Sequence, residues 1–184
     1  MENITKSEGY DVKASHRSLR HENVGFDLLL VEDSDTDYYV MERILKRHMP
    51  MGCEILRATT IAEAEEMLET HPQIDAVLLD LGLPDSESPH DTYSRLSAYK
   101  ERMPIVILTS LEDHAMALDM LEVGAQDYVY KNLIIRQPEL LCHVVEFAIG
   151  RHESFKMSKS DMQKELDQTS ELLSLMGGSY SAGH

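Results

Sequence analysis

Glu32 and Asp33 directly follow the apolar run Leu28-Leu29-Leu30-Val31, and Asp80 follows Ala76-Val77-Leu78-Leu79. Thr109 and Ser110 follow Ile105-Val106-Ile107-Leu108, and Lys131 stands just after a run ending at Val129. Each residue alone has an ordinary explanation, since acids cap helices and lysines solvate strand ends. Together, at the ends of runs that could lie side by side, they bring three acids, a hydroxyl and an ammonium to one edge. Two carboxylates about 4 Å apart repel by about 4 kcal/mol at an effective dielectric of about 20. Three together take up protons or bind a cation, and a small hard cation with oxygen ligands, Mg²⁺, is the natural occupant. A carboxylate can also attack phosphorus to give an acyl phosphate. That chemistry needs a metal and a fixed cation to offset charge on the transferring group.

The positioning elements are legible as an alternation. Strands are expected at Phe26–Val31, Cys53–Ala58, Ala76–Leu79, Ile105–Leu108 and Gln126–Val129. The three unbroken apolar runs among them suit strands covered on both faces, as in the middle of a parallel sheet. Helices are expected at Asp35–His48, with Tyr39, Met41, Ile44 and Leu45 near helical spacing, and at Ile61–Glu69, Asp91–Glu101 and His114–Val123. Thr60 and Asp113 are candidate N-caps, and Gly124 is a stop after Val123. Repeated strand–helix alternation argues for a doubly wound α/β fold, whose ligands collect beyond the carboxyl ends of the strands.

The 184 residues carry 33 acidic against 17 basic side chains, a net charge of −16. Such a surface repels nucleic acid and anionic membranes, so neither is expected as a partner. Cys53 and Cys142 lie far apart among apolar neighbours and are expected to be free buried thiols. The nine histidines show no zinc-type spacing. Met1 to Asn23 contain no apolar stretch of the secretory kind and no run is long enough to span a membrane, so a cytoplasmic location is expected.

Residues 1–24 read as a flexible extension and 25–150 as the domain. A last helix beginning near Gln137-Pro138 is expected to run on through 151–176, ahead of a tail at 177–184. Phe155, Lys159, Met162, Leu166, Thr169, Leu173 and Met176 follow a heptad seam with Lys159 and Thr169 as defects, a weak coiled-coil signal. A homodimer through this helix is one reading, and a lone solvated helix is the other.

Four segments carry a resemblance. Leu28–Asp35 (LLLVEDSD), Val77–Asp85 (VLLDLGLPD), Val106–Ser110 (VILTS) and Gly124–Lys131 (GAQDYVYK) resemble, in order and spacing, the signatures of response-regulator receiver domains of two-component signalling. The resemblance implies a flavodoxin-like five-stranded parallel sheet with five helices. It implies that Asp80 is the phosphoacceptor and that Glu32, Asp33, Asp80 and the Gly82 backbone carbonyl hold Mg²⁺. Thr109 and Lys131 would meet the phosphoryl oxygens, and Tyr128 would be an aromatic switch moving with Thr109. The partners implied are a histidine kinase or phosphotransfer protein and a downstream protein target. Such a domain is not a classical enzyme, at most catalysing its own phosphorylation and dephosphorylation. Two positions depart from the pattern: Asn132 follows Lys131 where many members have Pro, and Ser88-Pro89 stands where Gly is common. The stretch Asp85–Pro89 is therefore a candidate for unusual conformation or partner contact.

Three alternatives stay open. An aspartyl phosphohydrolase would need a second acid two residues on, and Asp80-Leu81-Gly82 lacks it. A degenerate receiver could serve as a scaffold. No second globular segment is expected after residue 150, and the chain could equally be the N-terminal receiver portion of a longer regulator, because a helix leaving such a domain resembles a linker to an effector.

Overall fold

The computed structural model describes residues 25–110 and 114–177. Five parallel strands, β1 (Phe26–Val31), β2 (Cys53–Ala58), β3 (Ala76–Asp80), β4 (Ile105–Thr109) and β5 (Asp127–Tyr130), form one sheet in the order β2-β1-β3-β4-β5. The helices are α1 (Asp35–His48), α2 (Ile61–Thr70), α3 (Pro89–Leu96), α4 (His114–Glu122), α5 (Lys131–Arg136) and α6 (Glu139–Gly177). This is the expected flavodoxin-like α/β fold with an extended C-terminal helix. The three central strands are buried on both faces because their apolar runs are unbroken.

Side chains alternate across a strand, so the sheet feeds two cores. Leu29, Val31, Val77, Leu79, Ile105 and Ile107 point to one face, against Ile61, Ala64 and Leu68 of α2, Tyr93 and Leu96 of α3, and Met120 of α4. Leu28, Leu30, Leu78, Val106, Leu108 and Val129 point to the other, against Met41 and Leu45 of α1 and Leu141, Val145 and Ala148 of α6. Both cysteines are free thiols. Cys142 is buried in this second core as expected, whereas Cys53, at the start of edge strand β2, is only half-buried against it. Burial pushes Cys142 up to about 11, so it stays protonated near neutrality.

Several boundaries differ from expectation for local reasons. The Asp91–Glu101 segment begins earlier, at Pro89, and turns into a 3-10 helix at Ser97–Tyr99. Ser88 is an ordinary N-cap whose Oγ accepts from the Asp91 N–H at 3.1 Å, with Pro89 in the first turn, so this loop needs no glycine. Thr60 caps α2 as expected, accepting from the Glu63 N–H at 3.2 Å, while Asp113 lies outside the described residues. In α1 the inward face is Met41 and Leu45, and Tyr39 points outward, 64% exposed, edge-on to Tyr38. The short α5 had no counterpart in the expected elements, and α6 starts at Glu139. No peptide bond among the described residues is cis, including Lys131-Asn132.

From Leu141 to His152, α6 buries one stripe: Leu141, Val145, Ala148 and His152. The same stripe continues at Phe155, Met162, Leu166 and Leu173, which are 58–65% exposed. Lys159 on this seam pairs with Glu101 at 2.9 Å, and the Met176 side chain lies outside the described residues. Among the described residues, no helix is long and apolar enough to cross a membrane.

Candidate functional site

Strand parity builds the site. Glu32 follows Leu28 and Leu30, Asp80 follows Leu78, and Lys131 follows Val129, each two residues beyond a side chain on the α1–α6 face. All three therefore project to that face at the carboxyl end of the sheet, beneath the start of α1. Register brings β1 beside β3 and β3 beside β4, with Asp80 level with Leu108. Thr109 has the opposite parity. It lies buried one residue beyond that level, on the face of Ile107 and Tyr128.

Glu32 is fully buried, and Asp80 and Lys131 are 9% and 5% exposed. Lys131 Nζ donates to Glu32 Oε2 at 2.6 Å and to Asp37 Oδ2 at 2.9 Å, and stands 3.4 Å from Asp80 Oδ2. The Leu81 N–H donates to Asp80 Oδ1 at 3.0 Å, and the Ser34 N–H donates to Glu32 Oε1 at 3.2 Å. Burial raises the pKa of both Glu32 and Asp80, and Lys131 only partly offsets it. Burial works against the Lys131 ammonium too, but its bonds to Glu32 and Asp37 and the Asp80 charge outweigh it, so its pKa is raised. These directions agree. One ammonium serves three carboxylates, so it is over-compensated while they are not.

Glu32, Asp33 and Asp80 each offer an oxygen within 4.8 Å of the others, and Asp33 is exposed to solvent. An all-oxygen donor set with surplus negative charge and one open side fits a hard divalent cation that keeps several waters. A Cβ at Gly82 would meet Asp80 Oδ2 at 3.4 Å, an ordinary contact, so packing alone does not demand glycine there.

The surrounding loops are tied down. The buried Thr92 hydroxyl lies 3.1 Å from the Leu81 carbonyl, 2.7 Å from Ser86 Oγ and 3.1 Å from the Ser88 carbonyl, fastening the loop after Asp80 to α3. Asp85 accepts from the Ile61 and Ala62 N–H groups at 3.0 and 3.1 Å, joining that loop to the start of α2. Arg57 donates to the Glu32 and Asp33 carbonyls and pairs with Asp35 at 2.7 Å. Tyr128 is half-buried against the α2–α4 core and edge-on to Tyr130, with centroids 5.5 Å apart.

Glu32, Asp80 and Lys131 are thus in one contact group, with Asp33 beside it and Thr109 at the neighbouring strand end. Asp37, Thr92 and Arg57 were not singled out from the sequence. Asp37 reads there as a first-turn acid of a helix, and its contact with Lys131, 94 positions away, is visible only in the fold.

The sheet order and the acidic cluster at its carboxyl edge define a receiver-type α/β domain. The family model for the response regulator receiver domain matches residues 28–145, and the chain belongs to that family. The chain is 31% identical over 110 residues to the transcriptional regulatory protein BasR of Escherichia coli, covering 60% of this chain and 47% of BasR. It spans about half or less of the length of the curated relatives it matches. The BeF3-activated N-terminal receiver domain of Klebsiella pneumoniae RstA matches with a TM-score of 0.56 and 26% identity, over 67% of this chain and 97% of that one. A fusion carrying a trimeric coiled-coil segment of yeast Spc42 matches with a TM-score of 0.63 at 24% identity, over 84% of this chain and 96% of that one.

Proposed function

We propose that this chain is a signalling receiver that takes a phosphoryl group onto Asp80 from a histidine kinase or phosphotransfer protein in the cytoplasm, and signals by protein–protein contact. The observation that carries this reading is the buried Asp80 carboxylate, held through Oδ1 by the Leu81 N–H and faced through Oδ2 by Lys131. Asp80 is the nucleophile: one carboxylate oxygen bonds to phosphorus as the bond from phosphorus to the donor breaks. Glu32, Asp33, Asp80 and the Gly82 carbonyl would hold Mg²⁺, which when bound offsets charge on the transferring group. Lys131 supplies a fixed positive charge for the new phosphoryl oxygens, and Thr109 supplies a hydroxyl donor to them. Tyr128, on the same face as Thr109, follows its movement as the switch. The likeness to a BeF3-activated receiver supports this reading of the acidic site.

The unit in this proposal is residues 25–150, with 151–176 as a helical extension whose exposed seam pairs with a second copy. The coverage of BasR, 47%, favours a second reading, in which the receiver is the front part of a longer regulator whose effector follows α6. The neighbouring coding sequence decides between these two outputs.

The test of Asp80 is direct. Incubation with acetyl phosphate and Mg²⁺ should add one phosphoryl group by intact mass, and the addition should vanish in Asp80→Ala and with EDTA. An Asp80→Ala protein that gains phosphate at the wild-type rate rules the assignment out. A wild-type protein that gains none leaves the scaffold reading.

A further inference from the structure

Lys131 has three N–H donors, and three carboxylates compete for them. Its ammonium lies 2.6 Å from Glu32 and 2.9 Å from Asp37 but 3.4 Å from Asp80, so it sits on the α1 side of the site rather than on Asp80. Glu32 and Asp80 belong to the group of oxygens close enough to share one cation, and Asp37 does not. With a divalent cation in that group, the charges of Glu32 and Asp80 are shared with it, while Asp37 keeps its whole charge for Lys131. Asp37 is also fixed in place. It lies in the first turn of α1, where its backbone N–H donates to the Ser34 cap at 3.3 Å and its side chain accepts from Lys131.

We propose that Asp37 is a positioning residue that holds Lys131 back from Asp80 and so sets how tightly the site keeps a phosphoryl-like anion. The inference rests on the reading of Asp80 as phosphoacceptor. An anion on Asp80 must draw the Lys131 ammonium across from Asp37, which holds it at 2.9 Å, and the cost of that displacement is subtracted from its affinity. A neutral amide at 37 removes the competing charge and leaves only a weaker acceptor. Asp37 is 37% exposed, so the exchange carries the modest weight of a half-solvated ion pair.

The probe is beryllofluoride, titrated by ¹⁹F NMR at saturating Mg²⁺ into the full chain. Asp37→Asn, which keeps the side-chain shape, should bind about three- to fivefold tighter than wild type. Asp37→Glu should return toward the wild-type affinity, because it restores the competing charge. Asp35→Asn removes the same charge from the same turn at a side chain paired with Arg57, and should leave affinity within about twofold. Asp37→Asn binding at wild-type strength or weaker overturns the proposal, as does equal tightening by Asp35→Asn, which would assign the effect to net charge. A wild-type chain that takes up no beryllofluoride removes the phosphoacceptor reading and this inference together. A wild-type chain that binds it while Asp37→Asn behaves identically removes this inference alone.

Discussion

Lys131→Ala tests the electrostatic logic of the site without any phosphodonor. The substitution strips the ammonium from Glu32, whose side chain is 1% exposed, and from Asp80, 12% exposed and 3.4 Å away. The lost pair with half-exposed Asp37 contributes little. Breaking a buried pair from one side costs about 3–5 kcal/mol, so a loss of about 3 kcal/mol at neutral pH is expected. The pH dependence has a definite sign. Glu32 and Asp80 already have raised pKa values, with burial the main cause and Lys131 opposing it. A carboxylate raised on folding binds more protons in the native than in the unfolded state. Its effect is therefore a loss of stability as pH rises from the ordinary carboxylate range through the folded-state value. Removing Lys131 raises both groups further and widens that window. The deficit of the variant should be small at the acid end, where the native site takes up protons, and grow toward neutrality. Mg²⁺ should raise the stability of the variant itself, by about 1.4 kcal/mol for each tenfold excess over its dissociation constant. Urea unfolding followed by circular dichroism, across a pH series with and without Mg²⁺, measures all three quantities. A neutral-pH loss below about 1 kcal/mol, or a deficit equal at acid and neutral pH, refutes the account of an overloaded ammonium between buried acids.

Three further outcomes are expected. Mg²⁺ affinity should fall as pH drops toward the raised pKa values of Glu32 and Asp80, because protons and the cation compete for the same oxygens; a calorimetric titration at several pH values checks it. Thr92→Val should cost about 1–3 kcal/mol in urea unfolding, because it deletes a buried hydroxyl that reaches the Leu81 and Ser88 carbonyls. Truncation after Arg151 should leave a folded monomer while the full chain self-associates weakly in sedimentation equilibrium, because Phe155, Met162, Leu166 and Leu173 stand exposed on one seam of α6.

The strand ends were legible because the three central strands are unbroken apolar runs, and a parallel strand buried on both faces leaves little freedom in where its polar residues begin. Glu32, Asp80 and Thr109 were found by that rule alone, as the first polar residues past each run. The same rule says nothing about direction. That Glu32, Asp80 and Lys131 share the α1 face while Thr109 takes the other follows from the period of two, once the register of neighbouring strands is known. The helix boundaries were less legible where one turn decides. In α5, Ile134 is the buried anchor of only six residues, too few for a helical period to show. At Ser88-Pro89 a cap and a turn share the same residue types. Asp37 marks the deeper limit. Its type and position fit an unremarkable helix start, which the Ser34 cap confirms, and its second role exists only because Lys131, just past the end of the far edge strand, arrives beneath that start. The seam of α6 shows the converse. Its heptad pattern is continuous in sequence, yet the domain covers it as far as His152 and leaves it bare from Phe155. One periodic stripe therefore serves two surfaces, an intramolecular core and an uncovered face, and only the position of the domain edge separates them.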